Sequence, residues 1–380
     1  MAIGIVLSSV MLSCTPAMPP LPATPRSEQG RLRVAILAPL SGELATYGRT
    51  VRQAAELAFD EWNARHSNGI FIESVAEDTP CDAMHARQVA ERIVAAGVHF
   101  VVGGICSEAA IPIASVADKS GVLFIATSAT HPLVTVDAHG NTRPLVFRTA
   151  FTHAQQGRAV SRFVLQTLRL DRVAVVHHPE RPFAREAAAA FIESFTHQGG
   201  YVLSITADRS QQPDFTEHLD AQMMSDIQAV YVPDAYAAIL RVHDALRQKG
   251  IKRPVLGSDW WSIHDVRSAV GEDVYLVAHY SVHVTHPTAQ RWAARYRAAF
   301  AVEPDTLAAL AYDAAVLLTQ GIEQSTDTSP EAVASTLRAM EYEGVTGRWR
   351  FDAQHNPSKQ AFFLRVQDGT LQLVGSADVE

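Results

Sequence analysis

The chain has 380 residues, 47% of them hydrophobic and 19% charged, and a formal net charge of −8. That length is too great for one ordinary core and calls for two domains. An acidic balance with no basic stripe alternating with aromatics excludes nucleic acid as a partner.

The first segment, Ile3 to Ser13, is almost wholly apolar, too short to span a bilayer, and ends at Cys14. It resembles a bacterial lipoprotein signal, with the small Ser13 before the cysteine, although Leu12 is bulky and no Lys or Arg precedes Cys14. Residues 1–14 are therefore expected to be a signal segment with Cys14 as the lipidation site; secretion with loss of Cys14 is the alternative. Both export the protein. Residues 15–30 follow as a tether, because Pro16, Pro19, Pro20, Pro22 and Pro25 favour extended polyproline conformations. Beyond the tether no apolar run reaches the length of a membrane span.

From residue 31, short β-branched runs alternate with longer Ala-rich amphipathic stretches, the pattern of βαβ units. Strands are predicted at 31–38, 70–77, 99–103, 122–127 and 145–149, with helices near 47–66, 83–97, 107–120 and 153–169. A second series has strands at 172–177, 201–207, 229–233, 254–257 and 274–280, and helices near 182–198, 214–224, 235–249 and 262–270. The fold class is therefore α/β, with two doubly wound parallel-sheet lobes. Helices near 287–300, 306–323 and 330–340 come next, then short strands near 348–351, 360–366 and 370–375. Pattern alone does not say which lobe these join.

The other two cysteines sit in informative contexts. Cys106 follows an apolar strand and two glycines, in Val101-Val102-Gly103-Gly104-Ile105-Cys106-Ser107. The helical residues after it leave the Ser107 hydroxyl and free backbone N–H groups at a helix N-terminus, where a carboxylate can be held. If Cys81 is bonded to Cys106, the bridge pins this turn, and the closed loop stabilises by about 3 kcal/mol on the chain-entropy model. Such a bond needs an oxidising compartment.

Several segments carry a resemblance when taken together: 34–42, Ala45-Thr46-Tyr47-Gly48, the two cysteine contexts, 122–130, Phe147-Arg148-Thr149 and Gly257-Ser258-Asp259. In order and spacing the chain resembles the branched-chain amino-acid (Leu/Ile/Val) binding proteins of ABC importers, a type I periplasmic binding fold, over about residues 31 to 375. The resemblance implies three hinge segments joining the lobes, near Phe147–Thr149, Ala278–Tyr280 and Thr346–Arg350. Lobe I would then comprise 31–148 plus 280–347, and lobe II 149–279 plus 348–380. It also implies a Cys81–Cys106 disulfide, a periplasmic or cell-envelope location, a monomer, and a membrane permease as partner.

By position, the family's ligand carboxylate would be held by Ser107 and the turn at Ser128-Ala129-Thr130. The ammonium would meet the Thr130 hydroxyl, a carbonyl near Ser128 and the acid at Asp259, a division that zwitterion recognition needs. Tyr47, Phe183 and one of Tyr236 or Trp260 would line the side-chain pocket. Each also has a plain structural role open to it. Ser107 can cap its helix, Asp259 can cap a helix or pair with an arginine, and the aromatics can belong to ordinary packing. Asp234 is expected as a helix cap close to the ligand.

Other chemistries lack their residues. The sixteen histidines include His177-His178 and a group at His279, His283 and His286, but no Cys or carboxylate stands at zinc-site spacing, so no metal is expected. The turn at Gly104-Ile105-Cys106-Ser107-Glu108 lacks the second glycine of a nucleophile elbow. The first strand ends in Pro39-Leu40-Ser41-Gly42 without a dinucleotide-binding glycine motif, so no cofactor is expected. The sequence thus points to a non-enzymatic exported binding protein for an amino acid, branched-chain or related. The alternative is a ligand sensor of amino acids or amides acting through a protein partner.

Overall fold

Residues 30–66, 69–206, 219, 222, 224–234, 236–259 and 273–380 are described by the structure, a computed structural model. The segment 1–14 with Cys14, nearly all of the tether, Trp260, the Tyr236 side chain and the helix expected at 262–270 lie outside the described residues, as does most of that expected at 214–224.

The first sheet has strands β1 (Arg31–Ala38), β2 (Phe71–Asp78), β3 (Phe100–Gly103), β4 (Leu123–Ala126) and β5 (Val146–Arg148), all parallel, in the order β2-β1-β3-β4-β5. Its crossovers are the helices α1 (Ala45–Arg65), α2 (Ala83–Ala95) and α3 (Ser107–Lys119). Both faces of β1 are apolar because both are covered. Val34 and Ile36 join a core with α1, whereas Ala35 and Leu37 pack with α2 and α3. Strand order reverses between β1 and β3, which opens a crevice at their C-terminal ends, the place where open α/β sheets take ligands.

After β5 the chain passes through α4 (His153–Arg162) into a second sheet containing β6 (Arg172–His177), β7 (Tyr201–Thr206), β8 (Ala229–Tyr231), β9 (Val255–Leu256) and β10 (Val274–Ala278). These five are mutually parallel, and among them run helices α5 (Pro182–His197) and α6 (Tyr236–Gln248). The helix expected over 153–169 is α-helical only to Arg162; Phe163–Leu168 forms a wider π turn that stops at Arg169, where φ is +56°.

The chain then returns. Helices α7 (Pro287–Phe300), α8 (Thr306–Gln324) and α9 (Pro330–Ala339) bury Trp292, Leu317 and Leu337 in the same core as α1. A small antiparallel sheet of β11 (Tyr342–Gly344), β12 (Gly347–Phe351) and β13 (Pro357–Ser358) follows. It leans on β5, since Phe147 lies against Phe351 and His355 with ring centroids 4.9 and 4.2 Å away. Finally β14 (Gln360–Gln367) and β15 (Thr370–Asp378) add an antiparallel hairpin beside β10, giving the order β15-β14-β10-β9-β8-β6-β7. The polypeptide thus crosses between the two lobes after β5, after β10 and before β14. No helix among the described residues is long and apolar enough to cross a membrane.

Candidate functional site

Between the sheets lies a cavity of about 410 Å³ whose walls come from both lobes. On the first-lobe side the turn from β3 to α3 supplies Ile105 and Ser107. This turn climbs over the end of β1, which is why glycine is needed: a Cβ on Gly103 (φ +143°) would stand 2.0 Å from the Leu37 carbonyl oxygen. Cys106 is the N-cap of α3 and is bonded to Cys81, with Cα atoms 5.6 Å apart. The bridge thereby anchors the helix N-terminus to the loop after β2. The first amides of α3 have no acceptor within the helix and face an anion with their dipole.

The turn after β4 is laced to the same place. Ser128 Oγ donates to the Ile105 carbonyl at 3.2 Å, and the His131 amide donates to Ser107 Oγ at 3.3 Å. Arg148, fully buried on β5, donates to the Ala129 carbonyl at 3.1 Å, the Pro132 carbonyl at 3.3 Å and Thr135 Oγ1 at 2.9 Å. Burial lowers its guanidinium to about 9, so it stays charged at neutral pH and keeps these oxygens occupied. Ser107 Oγ thus accepts from a backbone amide and stands at the N-terminus of α3.

The second lobe supplies Asp259, Phe183, His153 and His279. Asp259 follows β9 and accepts from two neutral side chains, Gln156 Nε2 to Oδ1 at 3.3 Å and His279 Nε2 to Oδ2 at 3.2 Å. Burial acts to raise this carboxyl, but the His279 hydrogen bond and the nearby imidazoles outweigh it and hold it below the ordinary carboxylate value. An ionised carboxylate of this kind attracts a cation. Thr130 Oγ1 lies 3.1 Å from His153 Nε2, a contact from one lobe to the other. Burial lowers both His153 and His279 to about 4. Leu307 and Leu310 of α8 give the cavity an apolar wall beside Ile105 and Phe183.

Ser107, Ser128, Thr130, Asp259 and Phe183 therefore share one cavity. Tyr47 does not line it; the ring packs against the first-lobe core beside Asp305, the N-cap of α8. Asp234 is not a free carboxylate near a ligand, since it is buried and accepts from the His178 amide at 3.0 Å and from Arg181 at 2.7 Å. No sequence motif singles out His153, Gln156, Leu307 or Leu310, and His279 stands out there only as one of a group of histidines. A capping-box pattern, Thr152 with Gln155, does place His153 at a helix start.

The arrangement offers oriented N–H and O–H donors at one end, the buried Asp259 charge at the other and hydrocarbon between them, with the exposed Glu108 carboxylate also on the lining beside Ser107. Known proteins share its frame. Residues 31–370 match the family model for periplasmic binding proteins. The leucine-, isoleucine-, valine-, threonine-, and alanine-binding protein of Pseudomonas aeruginosa is 27% identical over 330 residues, 84% of this chain and 86% of that one. The branched-chain amino acid transporter substrate binding protein LivJ of Streptococcus pneumoniae, solved with isoleucine, superposes with a TM-score of 0.75 at 27% identity, covering 92% of this chain and 99% of that one. The leucine binding protein LivK of Thermotoga maritima also gives 0.75, at 25% identity over 91% and 98% of the two chains. With residues 31–370 matching its model, the chain belongs to the periplasmic binding protein family.

Proposed function

We propose that the protein is the solute-binding component of an ABC importer, capturing an amino acid, branched-chain or related, between its lobes and delivering it to a membrane permease. The observation that carries this reading is the pairing, in one cavity, of an ionised Asp259 with Ser107 at the N-terminus of α3. A zwitterion satisfies both ends, and the apolar wall suits an aliphatic or aromatic side chain. The binding specificities named for the relatives support the same class. Binding is the whole activity in this reading; no bond of the ligand is broken.

The closing bodies are 31–148 plus 280–347 and 149–279 plus 348–380, and ligand stabilises closure by its greater affinity for the closed form. The protein acts as a monomer in the periplasm or cell envelope, held at the membrane through lipid on Cys14. Replacement Cys14→Ala then releases it from membranes without changing ligand affinity; unchanged retention removes the anchor. A thermal-shift screen over amino acids, small amides and carboxylic acids tests the function itself. A ligand at 100 times its dissociation constant stabilises by about 2.7 kcal/mol. Stabilisation by amine-free acids and by none of the amino acids would overturn the reading.

A further inference from the structure

Two buried histidines each hold one of the groups expected to meet a ligand ammonium. His153 is 6% exposed and pairs with Thr130 across the cleft; His279 is 1% exposed, stacks on Phe151 with centroids 3.7 Å apart, and pairs with Asp259. The charged and titratable groups facing them come from every neighbouring element. Asp259, Arg148 and His131 act on His153, whereas Asp259, Lys359 and His153 act on His279, with the Tyr231 phenol also close to Asp259. Both rings are neutral at neutral pH because burial disfavours their charged forms.

Neutrality has a structural consequence. A neutral His279 that bonds an ionised carboxylate carries its proton on Nε2 and leaves Nδ1 a bare acceptor, and Nδ1 has no hydrogen-bond partner among the described residues. On the other side, a bare His153 Nε2 takes the Thr130 hydroxyl proton and turns the lone pairs of Thr130 to the cavity. An ammonium only donates, so it favours this tautomer.

We propose that His153 and His279 determine specificity: as neutral partners they fix Thr130 and Asp259 as acceptors, so the site selects a ligand bearing a protonated amine and rejects the same skeleton without it. The proposal rests on the amino-acid reading above. A deamino ligand brings no positive charge to Asp259 and no donor to the Thr130 lone pairs in a closed site, and a site built for a hydrogen bond discriminates strongly against its absence.

Calorimetry with L-leucine against 4-methylpentanoate, and L-phenylalanine against 3-phenylpropanoate, tests this on the mature chain. The wild type is expected to prefer the amino acid of at least one pair by roughly 100-fold or more. His279→Phe and His153→Phe should each cut that preference by about tenfold, and His279→Gln, whose amide can still donate to Asp259, should restore most of it. At pH 6.0 the wild type should give the same binding heat in buffers of different ionisation enthalpy, because the imidazoles have no proton to release. That measurement needs no variant. A buffer-dependent heat from proton release, or an undiminished preference in both Phe variants, overturns the proposal while leaving amino-acid binding intact. Equal affinity of the wild type for an amino acid and its deamino partner does the same. Failure of the wild type to bind any of the four overturns the amino-acid reading and takes this proposal with it.

Discussion

At the scale of single residues the site makes an ordered prediction. Asp259 is the formal charge opposite α3, and its neighbours His279 and Gln156 contribute only neutral donors. Asp259→Ala thus leaves a bound ammonium desolvated without its counter-charge, at a cost of about 3–5 kcal/mol. Affinity should fall by a factor of hundreds or more. Ser107→Ala should cost about 1–3 kcal/mol, because the first amides of α3 still face the carboxylate. Calorimetry on both variants reads the order, and an Asp259→Ala protein binding like wild type means that the ligand places no ammonium there. Ser107, Thr130 and Asp259 were legible through the family resemblance, and the structure brings all three to one cavity beyond the ends of β3, β4 and β9. His153 and His279 were not, since a histidine in an apolar run looks alike in a core and in a site. Only the convergence of α4, β9 and β10 distinguishes them. Tyr47 illustrates the converse: the resemblance implies a place in the pocket, whereas the residue packs partly buried against the first-lobe core and is not among the residues lining the cavity.

At the scale of elements, the β3–α3 turn concentrates the constraints. Gly103 and Gly104 both have positive φ, the Gly104 amide donates to the Leu37 carbonyl at 2.9 Å, and the Cys81–Cys106 bond closes the turn from the side of β2. Replacing both cysteines by alanine should lower stability by about 3 kcal/mol, since the unfolded chain regains the freedom of the closed loop. Ligand affinity should weaken as well, because Ser107 is adjacent to the lost anchor. Chemical denaturation with and without reductant checks the first effect, and non-reducing peptide mapping checks the bond itself; free thiols at both positions in exported protein would contradict it. Gly103→Ala should be more damaging than an ordinary glycine substitution, because the added Cβ meets backbone rather than a side chain able to move. Long periodic elements were legible, as β1, β6 and α7 occupy the predicted residues. The strands Tyr342–Gly344 and Pro357–Ser358 were not, because two or three residues are too few to show a period. The short hairpin they flank owes its place to Trp349, Phe351 and His355 packing on the first lobe, which is tertiary information.

At the scale of the whole molecule, buried ionisable groups gather where the chain crosses between lobes. Lys359, 3% exposed, donates to the Thr149 carbonyl at 2.7 Å and to Thr346 Oγ1 at 3.3 Å, tying the first crossing to the strands that precede the last. Asp313 receives the Val345 and Thr346 amides, at 2.8 and 2.9 Å, together with the Tyr342 hydroxyl at 2.8 Å. Burial lowers Lys359 to about 7, while the partly opposing Asp313 charge acts to raise it.

These groups set a sign for stability against pH. For His153 and His279 the folded value is about 4 and the ordinary value 6.5, so between these limits the unfolded chain binds the protons that the folded chain refuses. Their penalty is absent above pH 6.5, grows as pH falls, and is complete near pH 4, at about 3 kcal/mol for each ring. Lys359 acts in the same direction over a higher window, from 10.5 down to about 7, so stability rises with pH there too. Asp313 and Asp305, raised chiefly by burial, bind protons more readily when folded and oppose the histidines only toward the acid end. Between pH 8.0 and 5.0 the histidine contribution should therefore dominate, and the melting temperature should drop most steeply below pH 6.5. Melting curves at pH 8.0, 6.5 and 5.0 for wild type and for the double variant His153→Phe, His279→Phe separate this from a general acid effect. Each protein serves as its own reference, so any packing change made by the phenylalanines shifts the whole curve and leaves the slope to report the imidazoles. The double variant should lose a substantial part of the fall below pH 6.5, with the remainder coming from His177, His243 and His355, which burial also lowers. An equal slope in both proteins would mean that the two rings are charged in the folded state, and the neutral wall inferred for the ligand site would fall with it.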